Sequence, residues 1–174
     1  PEYTNAAHRN GVKSIAILYF DPSFRPGLTF TEMFDKDPNS QGYLIAKKLV
    51  DMAKYYGFDG YFLNQEEWGD DSEFKPFMSY LTSQGLWTQW YDTNSSFNES
   101  KAAWLRDDEH GRIHSSVFVN YGNNGKRMNS WALANGYDPY KEVFAGIEAN
   151  QTGFRSSGGV DQGYTSKDNH SPLT

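Results

Sequence analysis

Five short apolar segments alternate along the chain with segments whose apolar residues recur every three or four positions. The apolar segments are predicted strands, at residues 12–20, 61–64, 86–91, 117–121 and 143–148. The intervening segments have the spacing of one buried helix face. Strands that alternate with helices pair in parallel through crossover connections, so the pattern predicts an α/β fold.

Three helices are predicted between these strands, each with an apolar stripe. The stripes consist of Ile45, Leu49, Met52 and Tyr56, of Phe74, Phe77, Met78 and Leu81, and of Met128, Trp131 and Ala132. Gly57, Gly85 and Gly136 follow the three stripes. A glycine just past a helix adopts positive φ without steric cost, so each one predicts a helix end.

Polar and aromatic residues collect where the predicted strands end. These residues are Asp21, Asn64, Glu66, Tyr91, Asp92, Asn120, Tyr121, Glu148 and Asn150. Barrel enzymes keep their catalytic groups at the carboxyl ends of their strands. Residues 122–125 lack the spacing and the following Lys-Ser/Thr of a phosphate loop. The sequence therefore favours a (β/α)8 TIM barrel over an open, nucleotide-binding sheet.

Five strands make only part of an eight-stranded barrel, a fold that usually takes about 250 residues. Residues 1–150 are predicted to be the central portion of the catalytic barrel. Residues 151–174, rich in Gly, Ser and Asp, are predicted to be a loop-rich continuation toward the missing strands. We expect the remaining strands to come from the rest of a parent chain. Unpaired sheet edges would otherwise leave the 174-residue segment insoluble or inactive.

Composition and charge limit the possible ligands. Aromatic residues make up 17% of the chain, and they either fill the core or stack on sugar rings. The net charge of −6 argues against nucleic acid as a partner. No apolar run approaches the roughly 20 residues that cross a bilayer, so no membrane partner is expected. The absence of cysteine excludes disulfides and thiol chemistry.

Charged and histidine-containing segments give no sign of a metal site or of any other cofactor. His8, His110 and His114 have no metal-ligand spacing and are predicted to lie at the surface. Residues 107–109 (Asp-Asp-Glu) are predicted to be a solvated charge run, and Asp59 is predicted to shape the turn before the second strand.

Residues 57–66, GFDGYFLNQE, contain the most informative chemistry. Side chains alternate along a strand, so Phe62, Asn64 and Glu66 are predicted to share one face, which in a barrel faces inward. An inward-facing acid among aromatic residues is expected to have a raised pKa, as a general acid requires near neutral pH. Alternatively, Glu66 is a solvated acid at a strand end and Asn64 a turn former.

The same segment resembles the signature of glycoside hydrolase family 85, an Asn-x-Glu at the end of a barrel strand after a Gly-Phe-Asp-Gly turn. Residues 5–12, 90–92 (Trp-Tyr-Asp) and 119–121 (Val-Asn-Tyr) resemble other segments of that family and occur in its order. The resemblance covers most of residues 1–150, and it is greatest to streptococcal enzymes of the endo-D type.

The resemblance implies a retaining endo-β-N-acetylglucosaminidase that hydrolyses the GlcNAc-β-1,4-GlcNAc bond in the core of N-linked glycans. It implies a substrate-assisted mechanism, in which the 2-acetamido oxygen attacks the anomeric carbon and forms an oxazoline. Glu66 would be the acid/base, and Asn64 would orient and polarise the acetamide. The resemblance also implies a secreted or cell-surface, cell-wall-associated bacterial protein.

Four further residues are candidate sugar contacts. Tyr91 matches a family tyrosine whose hydroxyl contacts the acetamide or oxazoline, with a core position as the alternative. Trp90 is predicted to face the opposite way, which leaves wall packing and sugar contact equally open. Asn120 and Glu148 are candidates for hydrogen bonds to sugar hydroxyls, or for structural roles.

Two other functions remain open. A non-catalytic glycan-binding barrel would keep the aromatic cleft, although the presence of both Asn64 and Glu66 argues against it. A conventional two-carboxylate glycosidase would pair Glu66 with Asp92 or Glu148. Replacement of Asn64 distinguishes these mechanisms, because only the substrate-assisted one requires it.

Overall fold

The computed structural model describes residues 2–20, 32–40, 42–66, 72–121, 123 and 125–146. The helices are α1 (Glu2–Arg9), α2 (Leu44–Tyr56), α3 (Phe74–Ser83), α4 (Glu99–Ala102) and α5 (Gly125–Ala134), with one 3₁₀ turn at Glu32–Phe34. The strands are β1 (Ile15–Phe20), β2 (Gly60–Gln65), β3 (Trp87–Tyr91), β4 (Arg106–Asp107), β5 (Gly111–Arg112), β6 (Ser116–Val119) and β7 (Val143–Ala145).

Five strands form one sheet in the order β1-β2-β3-β6-β7. The β1–β2 and β6–β7 pairs are parallel. Neighbours in the sheet therefore follow one another along the chain with helices between them, which confirms the predicted α/β class and all five strands. The strands β4 and β5 form a separate antiparallel hairpin that the sequence did not predict.

The chain divides into two compact units, and the boundary falls within β3. The first unit comprises residues 1–89 and 106–115. Its core contains the four apolar residues predicted for α3, all of them fully buried: Phe74, Phe77, Met78 and Leu81. The stripe was correct because these residues all face one way and no second apolar stripe on α3 competes with it.

The stripe predicted for α2 was wrong. The buried residues of α2 are Ala46, Leu49, Val50 and Ala53, whereas Met52 and Tyr56 are exposed. Both stripes contain Leu49, so spacing alone did not separate them. The helix end was correct: Gly57 has φ 77° and donates its N–H to the Ala53 carbonyl.

The second unit comprises residues 90–105 and 116 onward. The buried residues of β6, α5 and β7 form its core together with Trp90 and Leu105: Val117, Val119, Met128, Ala132, Val143 and Ala145. Predicted α5 is confirmed, and Gly136 with φ 75° follows it.

Side-chain alternation along β2 agrees with the prediction. The Tyr61 hydroxyl donates a 2.7 Å hydrogen bond to the Leu49 carbonyl of α2, and burial raises the pKa of Tyr61 to about 12. Tyr61, Leu63 and Gln65 are buried on this face. Because strand side chains alternate, Phe62 and Asn64 face away from α2.

The start of β2 depends on a close backbone approach. A Cβ atom at Gly60 would lie 1.8 Å from the Trp87 carbonyl oxygen, which no real contact permits. Only glycine therefore lets the two strands approach at this position.

Asp59 holds the turn before β2, as predicted. Its Oδ2 accepts the Ser14 N–H at 2.7 Å and pairs with His8 Nε2 at 2.8 Å. Burial acts to raise the pKa of Asp59, but the bonds from His8 and Ser14 outweigh this effect, and the pKa is lowered.

Asp59 should make the stability of the fold depend on pH. A lowered pKa in the folded state contributes stability above about pH 4, and that contribution disappears as the pH falls below it. We expect Asp59→Asn to reduce the free energy of unfolding by about 1 kcal/mol at pH 7, since the pair is partly exposed. The difference from wild type should shrink at pH 3, as measured by urea denaturation. Exposed Asp51→Asn is the control, and an equal difference at both pH values would contradict the assignment.

The solvated run predicted at residues 107–109 was correct for Asp108 and Glu109, which are exposed, but wrong for Asp107, and the surface position predicted for His114 was wrong. Asp107 is not simply solvated: it accepts bonds from Lys75 Nζ at 2.9 Å and the His110 N–H at 2.7 Å. Burial opposes these bonds, yet they hold the pKa of Asp107 at about 2. His114 is fully buried rather than at the surface, because the chain after β5 packs on α3, where Thr82 Oγ1 donates a 2.6 Å hydrogen bond to the Ile113 carbonyl.

Candidate active site

Asn64 and Glu66 lie at the carboxyl end of β2, in the first unit. Asn64 is paired in register with Tyr19 of β1, and the Glu66 N–H donates to the Phe20 carbonyl at 2.8 Å. Pairing with β1 thus fixes the backbone at both Asn64 and Glu66. Asn64 belongs to the strand, and Glu66 follows its last residue.

Asn64 presents a buried hydrogen-bond donor. Its side chain is only 7% exposed, and its Nδ2 has no hydrogen-bond partner among the residues that the structure describes. A buried donor without a partner costs about 1–3 kcal/mol, so such a group in a native fold calls for an explanation. An acceptor on a bound ligand would provide one.

Aromatic side chains flank Asn64. Tyr19 is its direct neighbour across the β1–β2 pair, and Phe62 precedes it by two residues on the same face of β2. Both rings are at least partly accessible to solvent. This face of the first unit therefore combines an amide, an acid and apolar ring surfaces, a composition suited to a sugar.

Tyr91 and Trp90 lie at the end of β3, in the second unit. Tyr91 is 8% exposed and packs edge-on against Phe118, with ring centroids 5.9 Å apart. Trp90 is 1% exposed and stacks on Trp104 at 4.4 Å. Trp90 thus has the surroundings of the wall-packing alternative, whereas Tyr91 retains some accessible surface.

Asn120 follows β6 and has several partners within the second unit. Its Nδ2 donates to the Thr93 carbonyl at 2.9 Å, its backbone N–H donates to the Asn94 carbonyl at 3.0 Å, and its Oδ1 accepts the Tyr121 N–H. These bonds tie β6 to the turn after β3, as expected of the structural alternative. Glu148 lies outside the described residues.

The turn after β3 contains a strained residue. Thr93 has φ 66°, in the left-handed region that a β-branched residue rarely adopts. Such conformations cost about 1–3 kcal/mol and persist only where the surroundings enforce them. They occur preferentially at functional sites, and this turn directly follows Tyr91.

Lys101 of α4 is a residue of this region that the sequence analysis missed. Its side chain is 0% exposed, and its Nζ donates to Asp92 Oδ1 and, at 3.2 Å, to the Asn94 carbonyl. Burial lowers the pKa of Lys101, and Asp92 opposes this effect. Lysine is almost never fully buried unless paired, so a sequence gives no reason to expect it inside.

The described part of the chain contains no cluster of three or more potential metal ligands. In the same residues, no helix combines the length and apolar character needed to span a membrane.

The five-stranded sheet and the helices between its strands define an α/β fold. A family model described as glycosyl hydrolase family 85 matches residues 1–171. The chain therefore belongs to glycosyl hydrolase family 85, as its resemblance to that family predicted.

A solved structure supports the barrel assignment. The chain is similar to the glycoside hydrolase domain of Endo-D from Streptococcus pneumoniae R6, with a TM-score of 0.71 and 28% identity. The match covers 90% of this chain and 28% of that one. The five-stranded sheet is thus part of a (β/α)8 barrel, and the barrel is not closed by the residues that the structure describes.

Curated relatives of the chain are named as endo-beta-N-acetylglucosaminidases. The cytosolic endo-beta-N-acetylglucosaminidase of Danio rerio is 30% identical over 84% of this chain and 22% of its own length. The human enzyme of that name is 27% identical over 68% of this chain and 17% of its own length. The chain thus spans about a fifth of these relatives.

These names contradict the predicted location. The relatives from zebrafish, chicken and human are all named cytosolic enzymes. The expectation of a secreted or cell-surface bacterial protein was therefore wrong. It rested on the family resemblance and on the substrate that the resemblance implies, and no signal in the chain supported it.

Proposed function

We propose that the protein is an endo-β-N-acetylglucosaminidase that hydrolyses the GlcNAc-β-1,4-GlcNAc bond in the core of N-linked glycans. The reaction retains configuration and passes through an oxazoline. The observation that carries the proposal is Asn64 at the end of β2, two residues before Glu66, since its side chain is buried and its Nδ2 has no hydrogen-bond partner among the described residues. Membership of family 85 and the names of the relatives support the same activity.

In the first step, the carbonyl oxygen of the substrate's 2-acetamido group attacks the anomeric carbon. The bond from that carbon to the leaving GlcNAc oxygen breaks, and Glu66 donates its proton to this oxygen. The product of this step is an oxazolinium ion and the GlcNAc that remains on the glycoprotein. No protein nucleophile is required, which is the substrate-assisted exception among glycosidases.

In the second step, water attacks the same carbon, and the carbon–oxygen bond of the oxazoline ring breaks. Glu66, now a carboxylate, accepts a proton from the water and returns to its starting state. Each step inverts the anomeric carbon, so the two steps together retain its configuration.

Asn64 would stabilise the reacting acetamide. Its amide is rigid, because β2 is paired with β1 and the side chain is buried. Its Oδ1 would accept the acetamide N–H, and a fixed acceptor in a water-poor site stabilises the positive charge that develops on the oxazolinium without reorganising during the reaction. For Tyr91, in the second unit, the family resemblance implies a contact of its hydroxyl with the acetamide or oxazoline, while Trp90 would support the wall.

The two-carboxylate alternative is less well supported. Asp92, one candidate for the second carboxylate, is bound to the buried Lys101 ammonium. A carboxylate held in an ion pair is a weaker nucleophile than a free one. Glu148, the other candidate, lies outside the described residues.

Digestion of a defined N-glycopeptide by the full-length protein tests the proposal. We expect mass spectrometry to find peptide that retains one GlcNAc, and NMR of the released glycan to show the β anomer first. Binding without cleavage would favour a glycan-binding barrel. Release of the whole glycan, or of outer sugars only, would assign a different reaction.

A further inference from the structure

A buried ion pair lies beneath the turn that follows Tyr91. We use the name β3 turn for residues 92–94, which connect β3 to the loop before α4. The pair joins Lys101 Nζ to the Asp92 carboxylate, and both groups belong to the second unit.

Contacts from two directions hold the β3 turn. Lys101 binds the side chain of Asp92 and the carbonyl of Asn94. Asn120 donates its side-chain amide to the Thr93 carbonyl and its backbone N–H to the Asn94 carbonyl. All three residues of the β3 turn are therefore held, and these contacts enforce the unfavourable φ of Thr93.

Lys101 is itself held rigidly. Its backbone N–H donates to Asn98 Oδ1 at the start of α4, at 3.1 Å. Its Nζ lies 5.2 Å from the centroid of the Trp90 ring, and that ring stacks on Trp104. The backbone of Lys101 is thus held in place, and its ammonium extends to the β3 turn past Trp90, the residue before Tyr91.

A lysine is an unusual choice for such a place. An apolar residue of similar size would fill the space without the cost of burying a charge. What an apolar residue cannot do is bind a carboxylate and a carbonyl at once, and so fix the turn. The buried ion pair therefore suits a role in fixing the conformation of the β3 turn better than a role in filling space.

We propose that Lys101 is a positioning residue that fixes the β3 turn through Asp92 and the Asn94 carbonyl, and thereby holds Tyr91 for its contact with the substrate acetamide. This inference rests on the role proposed for Tyr91 above. Lys101 itself touches no reacting atom. Its removal should misplace the Tyr91 hydroxyl and lower kcat, because small displacements of a contact are costly in the transition state.

A double-mutant cycle in the full-length protein tests this inference. The variants are Lys101→Met, Tyr91→Phe and the combination of both, assayed on a defined N-glycopeptide well below their unfolding temperatures. We expect Lys101→Met alone to lower kcat by about 10–100-fold with KM changed less. In the Tyr91→Phe background, the same change should lower kcat by no more than about twofold, because the hydroxyl it positions is absent.

Lys75→Met is the matched control. Lys75 also pairs with an aspartate, Asp107, but in the first unit and on the β4–β5 hairpin. Lys75→Met should lower the unfolding temperature. It should leave kcat unchanged relative to its parent, both in the wild-type and in the Tyr91→Phe background. If Lys101→Met does not fold, Asp92→Asn replaces it in the cycle, since this change removes the charge but keeps the shape of the side chain.

The outcomes separate the two proposals. If Tyr91→Phe lowers kcat and Lys101→Met lowers it by the same factor in both backgrounds, Lys101 acts independently of the Tyr91 hydroxyl and the inference is wrong. If Tyr91→Phe leaves kcat unchanged, the role proposed for Tyr91 fails, and the positioning role of Lys101 fails with it.

Discussion

Glu66→Gln is expected to lower kcat for glycopeptide hydrolysis by about 10²–10⁴-fold, the usual contribution of general acid–base catalysis. Glutamine has nearly the same shape but can neither donate the proton to the leaving oxygen nor accept one from water. KM should change little, because the side chain keeps its place after β2. The measurement is the initial rate of product formation by mass spectrometry, with kcat and KM determined separately.

Glu109→Gln is the matched control for this substitution. Glu109 is an exposed acid in the turn between β4 and β5, and its replacement makes the same change in charge. We expect wild-type kinetics from it. Activity of Glu66→Gln within a factor of about three of wild type would rule out Glu66 as the acid/base.

Asn64→Ala is expected to lower kcat for the same glycopeptide by about 10²–10³-fold, the typical loss when one fixed hydrogen-bonding group at a developing charge is removed. The variant should still consume a pre-formed sugar oxazoline, because that substrate has already completed the step that Asn64 assists. Parallel assays with the glycopeptide and the oxazoline measure the two rates. Since the wild-type Nδ2 has no described partner, the substitution leaves no protein acceptor unsatisfied, and stability should change little.

Asn129→Ala is the corresponding control. Asn129 of α5 also has a buried amide atom, Oδ1, without a partner in the described part of the chain, but it lies on a helix of the second unit. It should behave as wild type on both substrates. Equal loss of both activities in Asn64→Ala would indicate general damage to the site, and unchanged hydrolysis would remove Asn64 from the mechanism.

The sequence predicted those elements whose apolar residues allow only one buried face. The α3 stripe is of this kind, the five strands of the sheet stood out as short apolar runs between polar segments, and glycines with positive φ confirmed the helix ends. The α2 face was mispredicted because two stripes shared Leu49, and the small residues Ala46 and Ala53 gave the closer packing. Strands of two residues, such as β4 and β5, are too short to have a period.

The candidate site was predictable to the extent that it depends on one strand. Alternation along β2 placed the Asn64 side chain on the other face of the strand from Tyr61. The hydrogen bond from Tyr61 to α2 agrees with this orientation. Contacts between distant residues left no local signal. Lys75 lies 32 residues from Asp107, and nothing around His114 in the sequence distinguishes a buried histidine from an exposed one.

The strained φ of Thr93 has a consequence for how this protein can be improved. Glycine adopts φ 66° freely, so a selection for thermal stability alone would tend to replace threonine at this position. The same replacement would let the backbone after Tyr91 sample many more conformations. Selection for heat resistance and selection for turnover would therefore pull position 93 in opposite directions.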